Sequence, residues 1–287
     1  MKTEKLFYLV FLIGIPVLAQ VRGIVIDASG KPIPYVNIWV EDQDTGTTSE
    51  ENGTFSLNAG QDKNIVFSAL GYEKKILKAN EAATVSLIPK ITELNEVVIE
   101  KRKGTEEAVV GDFSGIKLNS GVTNTGQENV HVWGKLITFN DEIKKHPFVK
   151  SIEFVTRSHL KNVLMRIRVF NINKEAVPTG DAVDEGILVT IQKGKNSNTV
   201  DLSKYNIRIP EEGIIFGFEY LKLDQNRYEQ SYTIEGQKGV QKAYSYEPSI
   251  LGFAFGGENL IVLDRDGTPR SSSFGNIEIA LKIKLTN

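Results

Sequence analysis

His131, His146 and His159 are the three histidines of the chain, so metal ligation or general-base catalysis by imidazole must be built on them. None stands in a His-x-x-x-His or His-x-x-Glu spacing, the arrangement that turns two ligands toward one metal. Three separate surface or strand histidines are the simpler account. Cysteine is absent, which excludes disulfides, thiol nucleophiles, zinc–thiolate sites and iron–sulfur clusters. No Gly-x-Ser-x-Gly turn presents a serine nucleophile, and no glycine-rich loop ends in Lys-Ser or Lys-Thr to cradle phosphate. A glycosidase needs two facing carboxylates, and the 36 acidic residues single out no pair. Asp264-Arg265-Asp266-Gly267 matches part of a calcium loop, which takes further oxygen ligands and a closing Glu about twelve positions from its start. Asp-Gly ahead of a strand is more simply a hairpin turn. The expectation is a protein with no catalytic residue, no metal and no cofactor: not an enzyme.

Contact by aromatic rings is the remaining chemistry. Trp39, Trp133, Tyr205, Tyr228, Tyr244 and Tyr246 could form a stacking surface for sugar, although aromatics in strands more commonly fill cores. Trp39 is the candidate ligand contact, because it faces away from Val36, Ile38 and Val40 in a strict alternation.

The elements that must position these rings read as strands. From Val21 to Leu87 short alternating runs are separated by strong turns: Asp27-Ala28-Ser29-Gly30, Asn52-Gly53 and Gly71-Tyr72. They amount to about seven strands, the pattern of a small sandwich. Residues 100–130 are polar and Gly-rich and read as a linker that leaves room for one strand at the start of the next domain; the Lys101-Arg102-Lys103 run reads as a solvated part of it, with a membrane-surface contact as the other reading. Residues 131–287 form a second, larger β domain of roughly nine strands. In it Met165, Ile167 and Val169 share one strand face with Arg166 and Arg168 opposite, and Ile277 to Leu285 repeat the pattern with Glu278, Lys282 and Lys284 opposite. Asn140–Lys145 reads as one helical turn, stopped before Pro147.

Composition fits this reading. Hydrophobic residues make up 40% of the 287 and charged residues 24%, an ordinary globular balance. The net charge of −2, with Lys and Arg scattered, gives no electrostatic case for nucleic acid. Lys2 and Lys5 precede an apolar run from Leu6 to Leu18 and a small residue at Ala19, the order of a secretory signal peptide over residues 1–19. A short membrane anchor is the other reading of that run, which is brief for about 30 Å of hydrocarbon. No later segment is apolar enough for a transmembrane helix, so no integral span is expected.

The run Gly23-Ile24-Val25-Ile26-Asp27, then Gly30-Lys31-Pro32-Ile33-Pro34, then Val36-Asn37-Ile38 resembles the opening of the carboxypeptidase regulatory-like domain. Gly46-Thr47, Asn52-Gly53-Thr54-Phe55 and Gly71-Tyr72 continue the resemblance over residues 21–99, within an expected domain of residues 20–99, with Ser49-Glu50-Glu51 where many members carry Thr-Asp. It implies a transthyretin-like seven-stranded sandwich that accompanies an enzyme or receptor and carries no catalytic residues. Leu94-Asn95-Glu96-Val97-Val98-Ile99 resembles the segment that follows this domain in TonB-dependent outer-membrane receptors. Too few residues remain after it for a receptor barrel of roughly 22 strands. Asp201-Leu202-Ser203-Lys204-Tyr205 and Ile207-Arg208-Ile209-Pro210 resemble a pattern in exported Bacteroidetes proteins that pair this module with a second β-sandwich.

The sequence thus implies an all-β protein: a signal peptide, a transthyretin-like sandwich, a linker and a larger, jelly-roll-like sandwich. The expected function is non-enzymatic binding or scaffolding of a protein or glycan partner in the bacterial cell envelope, in the periplasm or at the outer-membrane surface. A small outer-membrane β-barrel formed by the second domain, or an envelope hydrolase acting on glycan or peptide, are the rival readings. Long polar connections at Asn171–Gly186, Lys193–Glu212 and Asp224–Tyr244 argue against the barrel.

Overall fold

Alternating runs cut by tight turns build the N-terminal unit as seven strands: β1 (Gln20–Ile26), β2 (Asn37–Val40), β3 (Gly46–Thr48), β4 (Thr54–Asn58), β5 (Asn64–Ser68), β6 (Lys75–Lys78) and β7 (Thr84–Ser86). The computed structural model describes residues 20–90, 104–125, 132–233, 239–254, 260–270 and 277–287. The expected leader with its cleavage point after Ala19, the Leu94–Ile99 segment and His131 lie outside the described residues. The strands form two sheets, in the orders β4-β1-β7 and β3-β2-β5-β6. Val25, Ile38, Phe67, Val85 and Leu87 close the core between them, and Phe55 meets Phe67 edge-on at 5.5 Å. The Asn52-Gly53 turn forms, with Gly53 at φ +77° and Glu50 N–H bonded to the Thr54 carbonyl at 2.8 Å. It does not make a paired hairpin. β3 and β4 belong to different sheets, because the inward Phe55 and Leu57 carry β4 across to β1.

The second unit contains β8 (Glu107–Val110), β9 (Ser120–Thr125), β10 (Val132–Ile137), β11 (Phe148–Ser158), β12 (Val163–Ile172), β13 (Pro178–Asp181) and β14 (Ile187–Ile191). β15 (Gly194–Asp201), β16 (Ile214–Tyr220), β17 (Arg227–Tyr232), β18 (Gln241–Ala254), β19 (Leu260–Leu263), β20 (Ile277–Ile279) and β21 (Leu281–Thr286) complete it. A six-stranded sheet runs β13-β12-β16-β10-β19, with β14 also on β12. An eight-stranded sheet runs β17-β18-β11-β21-β8, with β15 on β11 and β9 and β20 on β18. Helix α1 (Asp141–Lys145) is the expected single turn, started by Asn140, whose side chain accepts from Ile143 N–H. Ile152, Phe154, Ile167, Phe216, Phe218 and Ile283 fill the space between the two sheets. That interior is apolar, whereas a membrane barrel turns its apolar face outward to lipid.

Three expectations need correction. Residues 100–130 are not a linker throughout, since β8 pairs with β21 and β9 with β18. β8 is only four residues long and sets Ala108 and Val110 against the core, and the polar, Gly-bearing β9 adds Val122, too short a signal for alternation to stand out. The strand count is higher than the sequence indicates for the same reason. Arg166 and Arg168 do not face solvent either: both are buried, at 5% and 6% exposure, because the N-terminal unit docks on that face of β12.

Candidate functional site at the domain boundary

β16 reads Ile214-Ile215-Phe216-Gly217-Phe218-Glu219-Tyr220 and is buried at every position. One face enters the second core. The other, with Glu219, meets the N-terminal unit. Asn37 on β2 donates its side-chain amide to Glu219 Oε1, and Arg166 Nη1 reaches Glu219 Oε2 at 3.1 Å. Arg166 also donates to the Tyr35 carbonyl at 2.5 Å. Arg168 forks onto Asp181 at 2.9 and 2.6 Å. Burial by itself would raise the Glu219 carboxyl, but Arg166, Arg168 and the Asn37 amide outweigh it and hold the group below its ordinary value. Both carboxylate oxygens are engaged, so this cluster is a joint between units.

The joint continues along the turn after β19. Arg265 donates to the Asp44 carbonyl at 2.7 Å, Arg270 forks onto the Asp44 carboxylate at 3.0 and 3.1 Å, and Lys74 pairs with Asp266 at 2.9 Å. Burial pushes the Arg265 guanidinium down to about 10, against the pull of Asp264 and Asp44, which leaves it charged at neutral pH. Asp264 and Asp266 thus face arginine and lysine in a tight turn closed by Gly267 N–H on the Asp264 carbonyl at 2.9 Å. No cluster of three or more His, Asp or Glu able to hold a metal occurs among the described residues.

Trp39 sits in this boundary, half-buried beside a cavity of about 490 Å³ that Asp42, Asp44 and Arg270 also line. Lys74 Nζ lies 5.9 Å and Arg265 Cζ 5.7 Å from its ring centroid. The ring therefore faces outward from its own core, as its alternation indicates, onto cations at the boundary. Trp39→Ala is expected to keep the fold and lower stability by about 0.5–2 kcal/mol, the range for such cation–ring contacts. Urea denaturation checks this; collapse of the N-terminal unit in the variant would place the ring in the core instead.

Beside the joint lies a larger cleft, of about 1180 Å³. One wall is the N-terminal unit, from Thr45–Thr48 around β3 and from Thr54–Gly60 along β4. The other is Lys222, Asp224, Arg227, Tyr244 and Tyr246. Tyr244 and Tyr246 stand two residues apart on β18 and so share a side of the strand. Arg227, opposite Tyr246 in the β17–β18 ladder, places its guanidinium 3.8 Å from the Tyr244 ring centroid, and Lys222 Nζ lies 5.6 Å from that of Tyr246. Burial raises the Tyr246 hydroxyl and the Glu50 carboxyl above their ordinary values. The wall joins flat aromatic surface to fixed positive charge.

The N-terminal strand order and turns now have an independent counterpart. Residues 21–99 match the family model of the CarboxypepD_reg-like domain. The TonB-dependent receptor SusC of Bacteroides thetaiotaomicron is 31% identical over 112 residues, which cover 38% of this chain and 11% of the receptor. The chain thus spans about a tenth of that relative's length. Solved structures of infectious bursal disease virus, the Gx strain and a D431N mutant VP2 protein, align at 11% and 10% identity. They cover 88% of this chain and 56% and 55% of theirs, with TM-scores of 0.25 and 0.26, a level that establishes no common fold.

Opposite the CarboxypepD_reg-like domain, the remaining sequence candidates scatter. Trp133 is core, and Tyr205 carries Lys204 over its ring at 4.4 Å. His159 stacks on Tyr228 at 4.4 Å and bonds Glu247 at 2.8 Å, while His146 caps α1. Of the six aromatics named from sequence, Tyr244 and Tyr246 are brought together. Lys222 and Arg227 were not legible as partners, because Arg227 is placed by the pairing of β17 with β18 and Lys222 by the segment after β16 that bonds Thr48.

Proposed function

We propose that this is an exported, non-enzymatic binding or scaffolding protein of the bacterial cell envelope, residing in the periplasm or at the outer-membrane surface. The cleft between the CarboxypepD_reg-like domain and the second sandwich holds a protein or glycan partner. The observation that carries this reading is the pairing of Tyr244 and Tyr246 with Arg227 and Lys222 on one wall of an open cleft. Rings of this kind supply large contact area at low entropic cost, and such anchors dominate binding energy. The partial likeness to a TonB-dependent receptor supports the envelope setting. In this reading Trp39 serves binding indirectly, by holding the boundary that shapes the cleft.

The double variant Tyr244→Ala/Tyr246→Ala tests it. Retention of the partner from detergent-free envelope extract should fall about tenfold or more, the equivalent of at least ~1.4 kcal/mol, with the thermal midpoint nearly unchanged. Undiminished retention removes the cleft as the site. Turnover of a glycan or peptide by the purified wild type removes the non-enzymatic reading.

A further inference from the structure

Among the described residues β4 is an open sheet edge, with one ladder, to β1, in which Ile24 faces Thr54 and Gly23 faces Phe55. Thr54 spends its carbonyl on Glu50 N–H and its N–H on the Asn52 side chain, and Ile24 N–H goes to Ala83 on the other side of β1. Ile24 and Thr54 are therefore a non-bonded pair of the antiparallel ladder. The alternation then points the backbone groups of Ser56 and Asn58 away from β1. Every residue from Thr54 to Gly60 borders the cleft, whichever way its side chain points, so the strand presents its edge there.

Sheet edges are commonly guarded by lysine, proline or extreme shortness. β6, the edge of the companion sheet, is bracketed by Lys75 and Lys78, and the edge strand β13 begins at Pro178. β3 is three residues long and engages the second unit, its Thr48 hydroxyl accepting from Lys222 N–H at 3.0 Å. β4 reads Thr-Phe-Ser-Leu-Asn and carries none of these guards. Across the cleft stand two tyrosines, and the lining cations Arg22, Lys63, Lys222 and Arg227 outnumber the carboxylates Glu50 and Asp224.

Building on the cleft as the binding site, we propose that the β4 edge captures an extended, acidic polypeptide segment as an added strand, with Tyr244 and Tyr246 packing on its side chains. Outward backbone groups at Ser56 and Asn58 recur every ~6.8 Å, the two-residue repeat of a strand. That repeat favours a polypeptide over a sugar chain. The excess of positive charge selects acidic side chains, and the cleft exceeds the roughly 300–1,000 Å³ of small-molecule pockets.

The probe is a capped peptide of about nine residues alternating valine and glutamate, long enough to overrun the five-residue edge. Fluorescence anisotropy should show binding to the wild type. Methylating the peptide's alternate backbone nitrogens on the bonding side, or making Ser56→Pro in the protein, should each weaken it about tenfold or more. Lysine in place of glutamate should weaken it as well. Equal affinity for the methylated peptide, or no binding of the parent peptide, overturns strand addition. If Ser56→Pro does not fold, the methylated peptide on the wild type still decides. Oligogalacturonate, an acidic sugar chain, separates the two readings. If it binds, and Tyr244→Ala/Tyr246→Ala abolishes that binding while the peptide stays unbound, the cleft stands and strand addition falls. If neither probe binds and the tyrosine variant keeps its partner, both fall.

Discussion

Glu219→Ala is expected to destabilise the protein by about 3–5 kcal/mol, the usual cost of removing one partner from a buried ion pair. Glu219 is fully buried and accepts from Asn37 and Arg166, with Arg168 close enough to act on its charge. Its loss leaves two buried guanidinium groups in one sheet face, with Asp181 paired to Arg168 and Asp266 more distant to offset them. Glu219→Gln keeps the shape and an acceptor oxygen and should lose less. The pH dependence has a definite sign. Arg166 and Arg168 overcome the effect of burial and hold the folded-state carboxyl below the ordinary 4.5. The stabilisation is therefore complete above about pH 4.5 and is lost as the pH falls through the depressed folded-state value. Urea midpoints measured from neutral to acid pH should fall less steeply in Glu219→Gln than in wild type. Superimposable curves would mean that the carboxylate does not hold the units together.

The same strand explains what was legible in the sequence. In the N-terminal unit, turn residues and apolar alternation act locally, so Asn52-Gly53, Gly71-Tyr72 and the Val36-Ile38-Val40 face lead directly to a seven-stranded sandwich. In β16, apolar Ile215 and Gly217 stand between Ile214, Phe216 and Phe218. A run apolar on both faces is the mark of a strand covered on both sides. That signal was present, and Glu219 within it called for a buried cation. The burial of Arg166 and Arg168 does not show in their own strand, because the covering layer comes from residues more than a hundred positions earlier. β8 and β9 were hard to read for a different reason: they are short edge strands that lend the core only Ala108, Val110 and Val122, too few positions to set up a clear period. The cleft was hidden for the first of these reasons, since it exists only where the docked CarboxypepD_reg-like domain faces the β17–β18 ladder.

Phe218→Ala separates the two roles of β16. Phe218 is fully buried, stands opposite Trp133 on β10 and Ile167 on β12, and meets Phe154 of the facing sheet edge-on at 5.0 Å. Truncation removes a ring from the centre of that core and should cost about 3–5 kcal/mol. A domain of this size should then melt roughly 10 °C lower. The loss falls on the second unit, because the N-terminal sandwich closes its own core around Phe67 and Val85. Trp133 reports the second core, and Trp39 reports the first unit together with its contact to Arg265. In single-tryptophan backgrounds, the Trp133 signal of Phe218→Ala should move to lower temperature by more than the Trp39 signal. Glu219→Ala should part the same two signals by loosening the joint, with each core intact. If Phe218→Ala moves both signals together by an equal amount, the N-terminal unit has no stability of its own, and the cleft is a crease within one cooperative body.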